Sequence, residues 1–72
     1  MNKVEIYHNA RKIWALLSDH RRWSYEKLLK ASGLNELDLH AALGWLAREN
    51  KIEFEKDQGN YYCFTGVNVY IG

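Results

Sequence analysis

Ser18-Asp19-His20 places a hydroxyl, a carboxylate and an imidazole at three consecutive positions, the side-chain types of a hydrolytic triad. A triad works because its members converge on one reacting atom, and three neighbours in one loop cannot do so. Glycines at 33, 44, 59, 66 and 72 make no phosphate-cradling loop, and no strand precedes a glycine cluster as a dinucleotide site requires. His8, His20 and His40 have no cysteine or carboxylate at zinc-ligand spacing, so no metal site is expected. Cys63 has no cysteine to pair with and lies in an aromatic run, away from the cation or helix start that would activate a thiolate; it reads as structural. With 72 residues there is hardly room for an enclosed pocket, and neither catalysis nor a cofactor nor a small-molecule ligand is expected.

The remaining chemistry is that of macromolecular contact. Residues 1–33 hold seven Lys or Arg against three acids, whereas residues 34–72 hold three against six, so a net charge of +1 conceals halves of +4 and −3. This asymmetry suggests a basic face for a polyanion, or complementary patches on neighbouring subunits. The cations best suited to DNA phosphates are Arg21, Arg22, Lys27 and Lys30, with Arg48 and Lys56 further along and Gln58 and Asn60 in a turn. A contact of this kind would be weak and mostly blind to sequence. A second constellation, Leu37, Ala41, Gly44 and Trp45, has a different character: small residues admit another backbone, and a tryptophan beside them can anchor a protein interface. Trp45 is equally suited to packing on its own first helix or hairpin, and Leu37 to lying beneath the second helix.

The elements that position these groups follow from periodicity. At about 100° per residue, Ile6, Ala10, Ile13 and Leu17 share one sector of a helix that starts near Asn2, flanked by Tyr7, Trp14 and Leu16. Ser18 to Trp23 breaks the pattern and reads as a loop, with a residue or two of extended chain at Arg22 and Trp23. Ser24 is placed to cap a second helix over residues 25–32, with Leu28 and Leu29 inward and Lys27 and Lys30 outward. Gly33 ends that helix and Leu34 folds back onto it. Asn35 then caps a third helix, its core stripe Leu39, Leu43 and Leu46, with Asp38 at the third position behind the cap. After Asn50, Ile52 and Phe54 alternate with Glu53 and Glu55; residues 57–60 turn the chain; residues 61–65 return as a second strand. Gly66 is expected to mark a bend, and Val67, Val69 and Ile71 a possible extra C-terminal strand.

This order defines the expected architecture: an α+β fold with three helices, the last two joined as a helix-turn-helix, followed by a β-hairpin wing. No proline, repeat or low-complexity segment interrupts it, so residues 1–72 are expected to form a single domain. A hydrophobic fraction of 47% with 26% charged residues fits neither a disordered nor a membrane chain. No apolar run approaches the ~18 residues that span a bilayer, and the N-terminus has no basic-then-apolar leader, so a cytoplasmic location with no membrane partner is expected. So short a chain is near the lower size limit for an unaided core, which favours good packing or a second copy.

The junction Ala42-Leu-Gly-Trp-Leu-Ala-Arg-Glu-Asn-Lys-Ile52, followed by alternating strand residues, resembles a small uncharacterised family of bacterial winged-helix proteins. The resemblance runs from the first helix through the hairpin. It implies a winged helix-turn-helix, and a DNA-binding or transcription-regulator role inferred from that fold. Broader winged-helix regulators usually carry a glycine where Asn50 stands and a basic recognition helix. Here the third helix carries Arg48 against Glu36, Asp38 and Glu49. Two functions from different classes are therefore expected: DNA binding through the cations, or a protein-protein contact, homodimeric or with another protein, through the Leu37 face.

Overall fold

The computed structural model describes residues 1–65; the expected bend at Gly66 and strand at 67–71 lie outside the described residues. The chain forms α1 (Lys3–Leu17), β1 (Trp23–Ser24), α2 (Tyr25–Ser32), α3 (Glu36–Arg48), β2 (Ile52–Asp57) and β3 (Asn60–Thr65). The three strands make one antiparallel sheet in the order β1-β3-β2.

Each helix begins where a side chain can satisfy an otherwise unpaired backbone amide. At α1, Asn2 Oδ1 accepts from the Glu5 amide at 2.9 Å and the Asn2 amide donates to Glu5 Oε1 at 2.9 Å, a complete capping box. Ser24 Oγ accepts from the Lys27 amide, and Asn35 Oδ1 accepts from the Asp38 amide. The ends are equally specific. Gly33 closes α2 in the left-handed conformation (φ 73°), open to glycine at little cost. Asn50 takes the same conformation after α3 (φ 59°). There the Lys51 amide donates to Leu46 O and the Asn50 amide to Ala47 O, the paired closure of a Schellman turn. Asn50 thus performs at the end of α3 the geometric task that Gly33 performs at the end of α2.

The core is where the three apolar stripes meet the sheet. Ile13, Leu17, Leu28 and Leu39 are its largest fully buried side chains, joined by Ala10, Ala42, Leu43, Leu46, Ile52 and Cys63. α1 packs on α3, while Ile6, expected among the core residues, is only half-buried. Ser32 is the one buried polar side chain among the described residues; its hydroxyl donates to Leu29 O and accepts from the Leu34 amide, so nothing polar is left unpaired.

The wing is a two-residue hairpin. Asp57 pairs with Asn60, and Gln58 and Gly59 both have positive φ (52° and 82°), the type I′ geometry whose twist matches that of the strands. β1 lies one residue later than the sequence suggested. Trp23 pairs with Cys63 and Ser24 with Tyr62, whereas Arg22 precedes the strand and uses its side chain elsewhere.

Candidate functional site

Two surfaces border the outward side of α3. One is a groove of about 370 Å³ between α3 and the wing, lined by Tyr25, Glu36, His40, Leu43, Phe54, Tyr61, Tyr62 and Cys63. The hairpin register explains it. Phe54 pairs with Cys63 and Tyr61 with Lys56, so these side chains share the sheet face that carries Ile52 into the core. The hairpin extends beyond the helices, and on that same face the outer positions meet solvent: Phe54 is 54% and Tyr61 58% exposed. Across the groove the Tyr25 and His40 rings approach to 5.3 Å, and Tyr25 Oη donates to Glu36 Oε2 at 3.3 Å. Desolvation, with the Glu36 charge second, raises the Tyr25 hydroxyl above its ordinary pKa.

The other surface is the seam of α1 and α3. Trp45 sets its edge against Tyr7, centroids 6.3 Å apart at 69°, and Arg11 lies over the Tyr7 ring at 5.8 Å. Trp45 thus packs on its own first helix and still remains 39% exposed. Between the two surfaces runs the outward stripe of α3, Leu37, Ala41, Gly44 and Arg48. Leu37 is 65% exposed, so α2 does not cover it, and Gly44 is open: an added Cβ would meet nothing within 4 Å.

The cations are not equivalent: Arg48 ends the outward stripe of α3 and Lys56 shares the wing face of Tyr61, while Arg21, Arg22, Lys27 and Lys30 line neither surface. Arg22 donates from Nη1 to Glu55 Oε1 at 2.7 Å, places Nη2 3.8 Å from Asp57, and stacks 4.1 Å over the Tyr62 ring. Arg21 donates from Nε to Asp19 Oδ2 at 3.1 Å. Asp19 is a local hub; it accepts from the Arg21 amide and from Trp23 Nε1, and hydrogen bonds led by the Arg21 amide hold its carboxyl below the usual range. Among the described residues Lys27, Lys30, Arg48 and Lys56 have no carboxylate within 4.0 Å; Lys56 sits 5.5 Å over Tyr61. Lys27 borders a small pocket with Arg21, Arg22 and Trp23. Gln58 and Asn60 are exposed at the wing tip.

The sequence did not single out Tyr25, His40, Phe54 or Tyr61 as a site. The signal was present for two of them. Phe54 continues the inward alternation of Ile52 past the end of the helices, and Tyr61 faces it from the returning strand. Tyr25 and His40 belong to two helices, and only the helix-turn-helix corner brings them together.

Three helices with a helix-turn-helix corner and an antiparallel three-stranded sheet ending in a wing define a winged helix-turn-helix protein. The model of the family described as "Winged helix-turn-helix domain (DUF2582)" matches residues 1–65, and the chain belongs to that family. It is similar to the solution NMR structure of protein BT2368 from Bacteroides thetaiotaomicron, with 32% sequence identity, a TM-score of 0.80, and coverage of 90% of this chain and 79% of that one. No curated protein matches it. No helix among the described residues is long and apolar enough to cross a membrane.

Proposed function

We propose that this chain is a non-catalytic winged-helix module of the cytoplasm whose α3 surface and wing groove bind protein. The observation that carries this reading is the nature of the surface where winged helices read DNA. Leu37, Ala41 and Gly44 occupy the outward sector of α3, and Phe54 and Tyr61 the facing wing. Base edges are read by Arg, Lys, Asn or Gln, and phosphates are held by cations. This surface has Arg48 and Lys56 only at its edges, and its middle offers exposed apolar area flanked by Trp45, the composition of an interface core. Arg22, which lies against the wing, already holds Glu55 and Asp57.

A second reading rests on Lys27 and Lys30. Both are exposed on α2 without a carboxylate partner among the described residues, and Lys27 borders the same small pocket as Arg21. DNA held there would be held by phosphates, with an affinity falling steeply as salt rises. Fluorescence anisotropy of a labelled random-sequence duplex at two salt concentrations separates the readings. The protein-contact reading expects no saturable binding at either; salt-dependent binding lost on Lys27→Ala/Lys30→Ala would replace it with the phosphate-binding one.

A further inference from the structure

Lys51 is held at two points: its amide donates to Leu46 O at 3.0 Å in the turn that closes α3, and its ammonium stands 5.4 Å over the Trp14 ring. On α1, Arg11 lies 5.8 Å over Tyr7, one turn earlier on the same helix. A cation over a ring face is steadied without being neutralised. Neither has a carboxylate within 4.0 Å among the described residues, in contrast to Arg21 and Arg22. Both border one pocket of about 150 Å³ in the α1–α3 seam, whose other lining is Ala10 and Leu46 with the rings of Tyr7, Trp14 and Trp45. No acidic residue lines it; Glu49, one turn beyond Trp45, lies outside the lining and pairs with neither cation within 4.0 Å.

The size of this pocket limits what can enter. Sites for small molecules begin at roughly 300 Å³, whereas about 150 Å³ of apolar space holds a single benzene-sized ring. Nor does the surface suit a nucleic-acid strand, which lays successive bases on open ring faces. Trp14 is packed against the core with Lys51 over it, and Tyr7 has Arg11 over its ring and Trp45 against it, so these rings are already occupied. One apolar opening bordered by two unpaired cations instead matches an apolar side chain with carboxylates on either side of it in its own chain. We propose that the α1–α3 seam docks an acidic protein segment carrying one large apolar anchor. The anchor enters the pocket, and its flanking Asp or Glu side chains accept from Arg11 and Lys51. The site shares no lining residue with the wing groove, so it stands or falls independently of what that groove binds.

The test is a titration of the ¹⁵N-labelled full chain with a peptide that has a single phenylalanine between two pairs of glutamates. The indole N–H signals of Trp14 and Trp45 should shift saturably, while that of Trp23, which donates to Asp19 away from the seam, should stay in place. Arg11→Gln and Lys51→Gln should each weaken the peptide about 10-fold, as expected for losing a hydrogen bond to a charged group. Both side chains are exposed, and the amide spectrum of each variant verifies that it is folded. Lys12→Gln, which removes the same charge from a part of α1 outside the pocket, should leave the affinity unchanged. A peptide with glutamine in place of glutamate should bind about 10-fold more weakly than the acidic one. Absence of saturable shifts overturns the proposal, as does equal binding of the glutamine peptide, which would leave an apolar pocket that does not read charge. Shifts at Phe54 and Tyr61 in place of Trp14 and Trp45 would move the peptide to the wing groove and overturn this site alone. Tighter displacement of the same indoles by single-stranded oligothymidylate would assign the seam to nucleic acid.

Discussion

Arg22 and Glu55 are joined at 2.7 Å between Nη1 and Oε1, thirty-three residues apart in sequence. Asp57 lies 3.8 Å from the same guanidinium and the Tyr62 ring lies beneath it, so one side chain fastens the segment before β1 to both strands of the wing. The consequence is mechanical and electrostatic together: the wing is tied to the segment that precedes β1, and the charge of Arg22 is already paired. Arg22→Ala should lower the thermal midpoint and speed amide exchange at Trp23 and Ser24, while Arg22→Lys, which cannot form the planar stack, should recover only part of the loss. Unchanged exchange at β1 in Arg22→Ala would show that the fastening is incidental.

Cys63 pairs with both Trp23 and Phe54 in the centre of the sheet, and burial raises its thiol from an ordinary value of 9.0 to about 11. An acid whose folded pKa is raised is stabilised in its protonated form. Its contribution is therefore fully present below pH 9 and is lost as pH climbs toward 11, because the unfolded chain alone can release the proton. The full loss, reached above pH 11, is on the order of 3 kcal/mol, and most of it falls before pH 10.5. Urea unfolding at pH 8 and pH 10.5 should show that loss in the wild type and a smaller one in Cys63→Ala; equal slopes in the two proteins would assign the pH dependence elsewhere.

Gln58 is a residue with a β-carbon held at φ 52° in the type I′ turn, where asparagine is better tolerated. Gln58→Asn should stabilise the hairpin by about 0.5 kcal/mol, and Gly59→Ala, at φ 82°, should destabilise it by about 1 kcal/mol. Both are read from the midpoint of chemical unfolding.

Leu39 is completely buried at the junction of the three helices, and Leu39→Ala should cost about 3 kcal/mol. For a domain of this size that is a large share of the total, so the variant is expected to be partly unfolded at 37 °C by circular dichroism. Full helicity at that temperature would mean that the core collapses around the gap.

The sequence was most legible where local chemistry alone decides. Asn2, Ser24, Gly33 and Asn35 each mark a helix boundary by what their own atoms do for the nearest backbone, and all four act there. The apolar stripes of α1 and α3 were equally readable, because 3.6-residue periodicity needs no knowledge of the partner. What could not be read is what depends on long-range register. That Arg22 finds Glu55 and that Phe54 and Tyr61 face His40 across open space follow from how the hairpin is laid against the helices, and that Trp45 sets its edge on Tyr7 follows from how α1 is laid against α3. Cations counted as equal along the chain proved unequal in space, since Arg21 and Arg22 are occupied and Lys27, Lys30 and Arg48 have no carboxylate at hand among the described residues.

The claim that the α3 face and wing groove meet protein is tested most directly by amide spectra of the ¹⁵N-labelled chain during titration with duplex DNA at low salt. Low salt is the condition most favourable to phosphate contacts. The account predicts that Leu37, Ala41, Gly44, Phe54 and Tyr61 keep their positions up to excess DNA. Saturable displacement of those amides, together with those of Arg48, Lys56, Gln58 and Asn60, would place the groove of a nucleic acid on α3 and contradict it.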